Sequence, residues 1–466
     1  MPGTLIVSIS GIRGVFGDGL DPAVLVRFGG AFGTWCRRRA MELGREPAVV
    51  IGRDARVSGD VCARIVSAAL QSAGVDVVDA GLATTPTVEM AVQERRAAGG
   101  IVLSASHNPP EWNALKLLNE KGEFLTAREG EEVLRIVDDG TSETVGYEGL
   151  GTYERADFLN MHIDRILELD WIDAGDIAAA DFKVVVDAVN SVGGIALPAL
   201  LTRLGVREEN IVRLHCEPTG RFAHPAEPLP EHLTELTELV ASTHADLGIA
   251  VDPDVDRLAL VADGGTYMSE ELTQVVAADF MWKRAKGPFV TNLSSSRAVD
   301  DLAEAYGQTV FRSAVGEINV VQKMQEVGAI LGGEGNGGVI VPELHYGRDA
   351  LVGTAIVLQH LATEKVALSE VMRGLPRYTI SKNKTAIGDT DPDTVLADLA
   401  RQYADEETDT TDGLKINFME EWVHLRKSNT EPIIRIYAEA RTAERAGELA
   451  ERFMEELQVS AATVSR

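Results

Sequence analysis

Ser104-Ala105-Ser106-His107-Asn108-Pro109-Pro110 closes the apolar run GGIVL, and Trp112-Asn113-Ala114-Leu115-Lys116 follows. A strand ending in Ser-His-Asn-Pro throws a hydroxyl into a tight loop, where backbone N–H groups can hold phosphate oxygens. A plain Ser/Asn/Pro turn is the competing reading of the tetrapeptide. A serine hydrolase would need a histidine base oriented by an acid and a glycine-flanked elbow; the elbow is absent, which disfavours acyl transfer. Further on, Asp252-Pro253-Asp254-Val255-Asp256-Arg257 follows the run ADLGIAV. Carboxylates at alternate positions of a strand end can converge on one hard cation such as Mg²⁺, leaving positions for phosphate oxygens. A calcium loop of the EF-hand type starting at Asp252 fails, because Arg257 falls where its turn requires glycine. A solvated acidic turn is the other alternative.

Two more turns could recognise a ligand without reacting. In Gly332-Gly333-Glu334-Gly335-Asn336-Gly337-Gly338 the glycines permit close backbone approach, while Glu334 and Asn336 supply acceptors and a donor suited to sugar hydroxyls. The loop lacks the lysine of a nucleotide-binding P-loop. Arg426-Lys427-Ser428-Asn429-Thr430-Glu431-Pro432, with Arg435 on the strand that follows, can clamp a dianionic phosphate, a salt-bridged turn being the alternative. Arg13, Arg53, Arg56, Lys116, Arg257, Arg426 and Arg435 all fall in motif turns. In so acidic a chain their placement predicts a locally positive pocket, screened from distant acids over a Debye length of about 8 Å.

The elements that must carry these turns alternate, strand-length apolar runs with longer helical patterns, from Ala48 to about Leu361. That is the pattern of an α/β protein built from crossover units. One design repeats three times: VVIGRD pairs with IVLSASHN, VVVDAVN with LGIAVDPD, and FVTNLSSS with ILGGEGN. Ligands of open α/β sheets gather beyond the carboxyl ends of strands, so chemistry belongs in these turns. After Leu375 strands group beside two helical segments, predicting a smaller α+β domain. The expected domains are 1–150, 151–257, 258–370 and 371–466, three similar α/β domains with mixed sheets and a terminal α+β domain.

The 466 residues are 45% hydrophobic and 25% charged, ordinary globular composition that excludes disorder and collagen. No apolar run approaches the roughly 20 residues that span a bilayer, and Met1–Val15 does not read as a secretory signal; the expected location is cytoplasmic. The three cysteines, Cys36, Cys62 and Cys216, are too dispersed for a disulfide framework or zinc knuckle. A formal charge of −28 argues against nucleic acid and anionic membrane as partners. The 33 arginines against 11 lysines suit either a protein kept soluble in concentrated salt or a GC-rich genome.

Gly11-Ile12-Arg13-Gly14, Gly52-Arg53-Asp54-Ala55-Arg56-Val57-Ser58-Gly59, the Ser-His-Asn-Pro loop, the Asp triplet with Arg257, the Gly-Gly-Glu loop and the Ser-Asn-Thr-Glu-Pro loop, in this order, cover essentially the whole chain. Together they resemble the α-D-phosphohexomutase superfamily. The resemblance implies three similar α/β domains and a smaller fourth around a central cleft. It implies that Ser106 is a phosphoserine beside Mg²⁺ held by Asp252, Asp254 and Asp256, with Ser106 itself part of the metal site. Lys116 and Arg13 would handle protons and stabilise charge near the transferred group, and His107 and Arg257 join them as catalytic candidates. Glu334 and Asn336 would contact the sugar, while Arg426, Ser428, Asn429, Thr430 and Arg435 would grip the non-reacting phosphate. The implied reaction interconverts hexose 6-phosphate and hexose 1-phosphate through a 1,6-bisphosphate, which is also the expected activator. The bisphosphate must turn end for end, so hinge motion of residues 371–466 is expected, in a monomer or homodimer.

Several positions depart from common family patterns. Pro253 replaces a glycine, Ala114 replaces the glycine often found before Lys116, and Asn336 and Gly338 replace the serine and histidine of the usual bacterial sugar loop. The pattern is nearer an archaeal-type branch that includes phosphoglucosamine mutases and enzymes acting on glucose or mannose phosphates; the expected substrate is glucosamine phosphate, by a narrow margin over those two. Loss of the loop histidine leaves a proton-transfer role for which His345 and Arg348 are candidates. Two rival readings are a haloacid-dehalogenase-like phosphotransferase with Asp252 as nucleophile, which leaves the other turns unexplained, and a non-catalytic sugar-phosphate sensor, which does not need Ser106, the aspartates and Lys116 together.

Overall fold

The structure, a computed structural model, describes residues 3–8, 11–388, 390–427 and 433–464. Two compact units emerge, one of residues 1–273 and 336–373, the other of 274–335 and 374–466. The first unit holds two sheets. In one, Ala48–Arg53 lies parallel to both Asp76–Leu82 and Gly99–Leu103, and Gly99–Leu103 turns back into the antiparallel strand Trp112–Leu118. Gly11–Phe16 extends that edge, pairing Arg13 with Ala114. In the other sheet Val184–Asp187 lies parallel to Ile211–Leu214 and Leu247–Val251, and Leu247–Val251 turns back into the antiparallel Leu258–Ala262. The central strands are buried on both faces, Val184, Val185 and Val186 at 0% exposure, which is why they read as unbroken apolar runs. Each of these sheets therefore places one reactive motif in the hairpin that follows its central parallel strand.

Helix boundaries follow local chemistry. Pro22–Leu43 starts behind Asp21, whose carboxylate accepts from the Val24 amide, and Thr126 with Glu129 forms a capping box at the start of Ala127–Asp138. Among the described residues no single helix is long and apolar enough to cross a membrane.

In the second unit Phe289–Asn292 runs parallel to Val310–Ser313 and Leu331–Glu334. All six paired turns read from the sequence thus follow strand ends. The terminal segment forms an antiparallel sheet in the order Thr379–Ala386, Ile433–Ala440, Trp422–Lys427, Leu414–Asn417, Glu407–Asp409. Its core joins Val423, Leu425, Ile434 and Ile436 to Leu449, Phe453 and Leu457 of the helix Ala443–Val464, the expected α+β arrangement. This sheet is bonded to the rest of its unit. Buried Lys415 donates to the Leu293 carbonyl at 2.8 Å, the Ser294 hydroxyl lies 2.9 Å from His424 Nδ1, and the Val315 amide donates to Asp412. Motion of residues 371–466 by themselves would break these bonds.

Candidate functional site

Ser106 stands in the hairpin between Gly99–Leu103 and Trp112–Leu118, with φ +49°, a backbone region that costs a non-glycine residue about 1–3 kcal/mol. The restraint is visible. Arg56, fully buried, donates to the carbonyls of Ser106 and Asn108 at 2.6 and 2.7 Å and also to those of Pro109 and Trp112. Its Nε is paired with Asp54 at 2.9 Å, both side chains at 0% exposure. Asp54 also accepts from the Ser104 hydroxyl, which in turn accepts from the Ser106 amide. Burial raises the Asp54 carboxyl above its ordinary range, although Arg56 pulls the other way. Arg56 is one of the motif-turn cations from which a positive pocket is expected; in the structure its donors are instead taken by the loop's carbonyls and by Asp54.

The Ser106 hydroxyl donates to Asp252 Oδ2 at 2.6 Å, which brings the Ser-His-Asn-Pro loop and the Asp triplet into one site. Asp252, Asp254 and Asp256 are each 0% exposed, and one oxygen from each lies within 4.8 Å of the others. The backbone amides of Asp256 and Arg257 donate to Asp252 Oδ1. Val255, with φ +65° and a fully buried side chain, makes the sharp turn that aims all three carboxylates inward. Its carbonyl accepts from the Ala350 amide at 3.2 Å. Three cations face the triplet: Lys116 Nζ at 2.6 Å from Asp254 and 3.4 Å from Asp256, Arg348 at 2.8 Å from Asp256, and Arg257 at 3.9 Å from Asp256.

Burial, then repulsion from Asp256 and Asp254, pushes the Asp252 carboxyl well above the usual range. Burial acts the same way on Asp256, but Arg348, Lys116 and Arg257 outweigh it and hold that carboxyl below the usual range. Lys116 is held above its ordinary value: burial opposes its charge, and Asp254 and Asp256 more than restore it. His107 is pushed down to about 3 by burial and the nearby Arg257, so its ring is neutral near pH 7. The buried Oδ1 atoms of Asp254 and Asp256 have no hydrogen-bond partner. Unpartnered carboxylate oxygens in an all-oxygen set are what a bound divalent ion would satisfy, so the triad fits metal binding.

The remaining sequence candidates divide. Arg13 and Lys116 share a sheet face, because Arg13 is paired with Ala114, two residues before Lys116. Glu334, in the second unit, accepts from Asn292 at 2.8 Å and from the Gly316 amide. Asn336 lies in the first unit, where its Oδ1 accepts from the Gly338 amide. Gly337, at φ +88°, bonds its carbonyl to the Leu258 amide beside Arg257. Arg426 and Arg435 stand directly opposite on adjacent antiparallel strands, with Arg426 tied to Asp412 at 2.9 Å. Ser428, Asn429 and Thr430 lie outside the described residues.

Of the two substitutes considered for the missing loop histidine, the structure brings Arg348 to the triplet. A Cβ on Gly338 would stand 2.3 Å from Arg348 Cδ, so the absence of a side chain there makes the room Arg348 occupies. His345 turns instead toward Glu89 and Asp349. Sequence reasoning missed Thr85, whose hydroxyl donates to Asp254 and which carries no local signal, and it names Ser104 in the first motif without a role.

Comparison with known proteins matches four consecutive segments of the chain. Residues 5–144, 160–265 and 269–378 match the phosphoglucomutase/phosphomannomutase α/β/α domains I, II and III, and residues 388–456 match the C-terminal domain of that family. A Thermococcus kodakarensis protein named phosphoglucomutase/phosphomannomutase is 35% identical over 445 residues, covering 95% of this chain and 96% of that protein. A phosphoglucosamine/phosphogalactosamine mutase of Sulfurisphaera tokodaii is 30% identical over 444 residues, covering 92% and 94%. Among solved structures, a phosphoglucomutase/phosphomannomutase family protein from Burkholderia thailandensis superposes with a TM-score of 0.83 at 28% identity, covering 98% of both chains.

Proposed function

This chain belongs to the phosphoglucomutase/phosphomannomutase family, the α-D-phosphohexomutases, and from that premise we propose that Ser106 carries the phosphate it exchanges with a hexose phosphate. The chain is a mutase, an intramolecular phosphotransferase acting on hexose phosphates. What supports the assignment of Ser106 is its 2.6 Å bond to Asp252 inside a ring of three carboxylates and three cations. Phosphoryl transfer has a loose transition state with charge spread over the equatorial oxygens, so positioned positive charge supplies most of the catalysis.

Asp252, Asp254 and Asp256, with the Ser106 phosphate, would hold Mg²⁺, which when bound supplies positive charge at the phosphoryl oxygens. Arg56 and the strained backbone hold Ser106 in place beside Asp252, where it would meet the incoming sugar hydroxyl. Lys116, kept charged by Asp254 and Asp256, donates toward the oxygen that leaves, and Arg348 and Arg13 stabilise the equatorial oxygens. Neutral His107, whose buried Nδ1 has no partner, offers an acceptor for a sugar hydroxyl, and Arg257 completes the positive wall. Glu334 and Asn336 contact the sugar; Arg426 and Arg435, with Ser428, Asn429 and Thr430, hold the far phosphate. Like charges directly opposite on adjacent strands repel, and a dianion relieves that repulsion. The product of the first transfer is a hexose 1,6-bisphosphate, which reverses and returns its other phosphate to Ser106, and which added from outside primes the enzyme.

Glucosamine phosphate is the proposed substrate, on the strength of similar proteins named as phosphoglucosamine mutases. The Thermococcus relative named for glucose and mannose phosphates supports the second reading. Incubation with hexose 1,6-bisphosphate should place a covalent phosphate on the peptide containing Ser106, and Ser106→Ala should abolish both label and turnover; brisk turnover by Ser106→Ala overturns the assignment. Parallel assays on glucosamine, glucose, mannose and N-acetylglucosamine phosphates decide the sugar, and faster turnover of mannose phosphate than of glucosamine phosphate reverses that preference.

A further inference from the structure

A second cluster of metal-ligating side chains lies buried in the first unit and takes no part in the chemistry above. It gathers His162 from the helix Leu159–Leu167, His345 from the segment before Ala350–Glu364, and Asp349, which caps that helix. His162 Nε2 lies 2.8 Å and His345 Nε2 3.3 Å from the same oxygen, Asp349 Oδ2. The two rings meet edge to face with centroids 6.2 Å apart, and one ligand atom from each of the three residues lies within 4.8 Å of the others. Exposure is 0% for His162 and Asp349 and 4% for His345.

One outward ring nitrogen is hydrogen-bonded, and the other lies against a carboxylate. His162 Nδ1 is 2.9 Å from the Thr87 hydroxyl, itself 2.7 Å from that of Thr84, whereas His345 Nδ1, which makes no hydrogen bond, lies in ion-pair contact 3.4 Å from Glu89 Oε2. Asp349 Oδ1 accepts from the Leu351 and Val352 amides, which leaves Oδ2 to the histidines. Imidazoles that bind a metal characteristically carry such a partner on the far nitrogen, fixing tautomer and ring orientation. Charge points the same way. Glu89 and Asp349 bring two negative charges into a fully buried site; burial opposes a charge on His345, but the two carboxylates hold its ring up to about 10, so without metal one imidazolium offsets one of them, whereas a divalent ion with two neutral imidazoles brings the total to zero.

We infer that His162, His345 and Asp349 form a structural site for Zn²⁺, or an ion of similar preference, distinct from the all-oxygen Asp252-Asp254-Asp256 site. Two nitrogens and one carboxylate oxygen suit a borderline ion; Mg²⁺ prefers oxygen ligands throughout. Bound there, the ion pins the segment carrying Arg348 against the helix Leu159–Leu167.

The test uses the full chain, stripped of metal and then held in excess Mg²⁺ so that the oxygen site is filled. One equivalent of Zn²⁺ should remain bound after desalting. Co²⁺ in its place should give the visible absorption of a nitrogen-containing, low-coordinate site. Both signals should disappear in His162→Gln and His345→Gln and persist in Asp254→Asn. Thr87→Ala, which removes only the far-nitrogen partner, should weaken Zn²⁺ about 10- to 100-fold in competition with a chelator. Failure of the parent chain to retain Zn²⁺ under excess Mg²⁺ overturns the inference, leaving an ion-paired imidazolium between Glu89 and Asp349. Retention lost in Asp254→Asn but kept in His162→Gln overturns it too, because the ion then belongs to the aspartate triplet.

Discussion

Replacing Arg56 by methionine separates two things that this one side chain does. Arg56 and Asp54 form an ion pair at 0% exposure, and breaking such a pair by removing one member costs about 3–5 kcal/mol, because a buried charge is left alone. Against a domain stability of roughly 5–15 kcal/mol that is a large share, readable as a lower urea midpoint. Adding Asp54→Leu removes the orphaned carboxylate, so the double variant should recover part of the stability, the remainder staying lost with the hydrogen bonds to the loop carbonyls and from Ser104. Turnover should not recover with it. The carbonyls of Ser106, Asn108, Pro109 and Trp112 still lack their donor, and misplacing a reacting group by about 1 Å costs about 10²-fold. Urea melts and a coupled assay of hexose phosphate isomerisation on parent, single and double variants decide the matter. A double variant that regains turnover along with stability refutes the reasoning, since Arg56 would then serve only to neutralise Asp54.

Arg348→Met should lower kcat by about 10²- to 10³-fold, as loss of a charge-stabilising donor does, and Gly338→Ala should lower it in the same direction by displacing Arg348, whose Cδ stands 2.3 Å from the added Cβ; steady-state kinetics of both variants provide the check. His424 is pushed down to about 4, by burial first, then by Lys415 and Arg426 against the Asp412 carbonyl. With an ordinary value near 6.5, the unfolded chain takes up this proton first, so up to about 3 kcal/mol of stability present above pH 6.5 is lost as pH falls to about 4. Chemical denaturation across that range should show the loss, and His424→Gln should flatten it. Raising KCl from about 0.1 to about 2 M should raise the melting temperature by screening repulsion in a chain of charge −28; an unchanged melting temperature removes the high-salt reading.

What could be read in the sequence was local. VVIGRD, IVLSASHN and LGIAVDPD announce buried strands followed by reactive turns because apolar runs and the polar residues that end them are contiguous, and these turns follow strand ends in the structure. Asp252, Asp254 and Asp256 declare themselves by alternation. What stayed hidden depends on partners far along the chain. Nothing near Arg56 says that its guanidinium is consumed by carbonyls 50 to 56 residues away, and nothing near Ser104 shows that it joins Asp54 to the Ser106 amide. The choice of Arg348 over His345 turns on the space beside Gly338, a packing fact with no sequence signature. His162 and Asp349, 187 residues apart, gave no sign of meeting.

The hydrogen bond from Ser106 to Asp252 links two loading events. An unmodified hydroxyl donates a proton to a carboxylate that burial and its neighbours already incline toward the neutral form. On the proposed assignment, esterification of that hydroxyl would remove the donor and add negative charge, so that Asp252 would turn from acceptor to metal ligand. Divalent-ion affinity and the phosphorylation state of Ser106 would then be thermodynamically coupled, each strengthening the other by the same factor. An enzyme that lost its phosphoryl group between turnovers would also slacken its hold on the ion, and a bisphosphate primer would restore both at once.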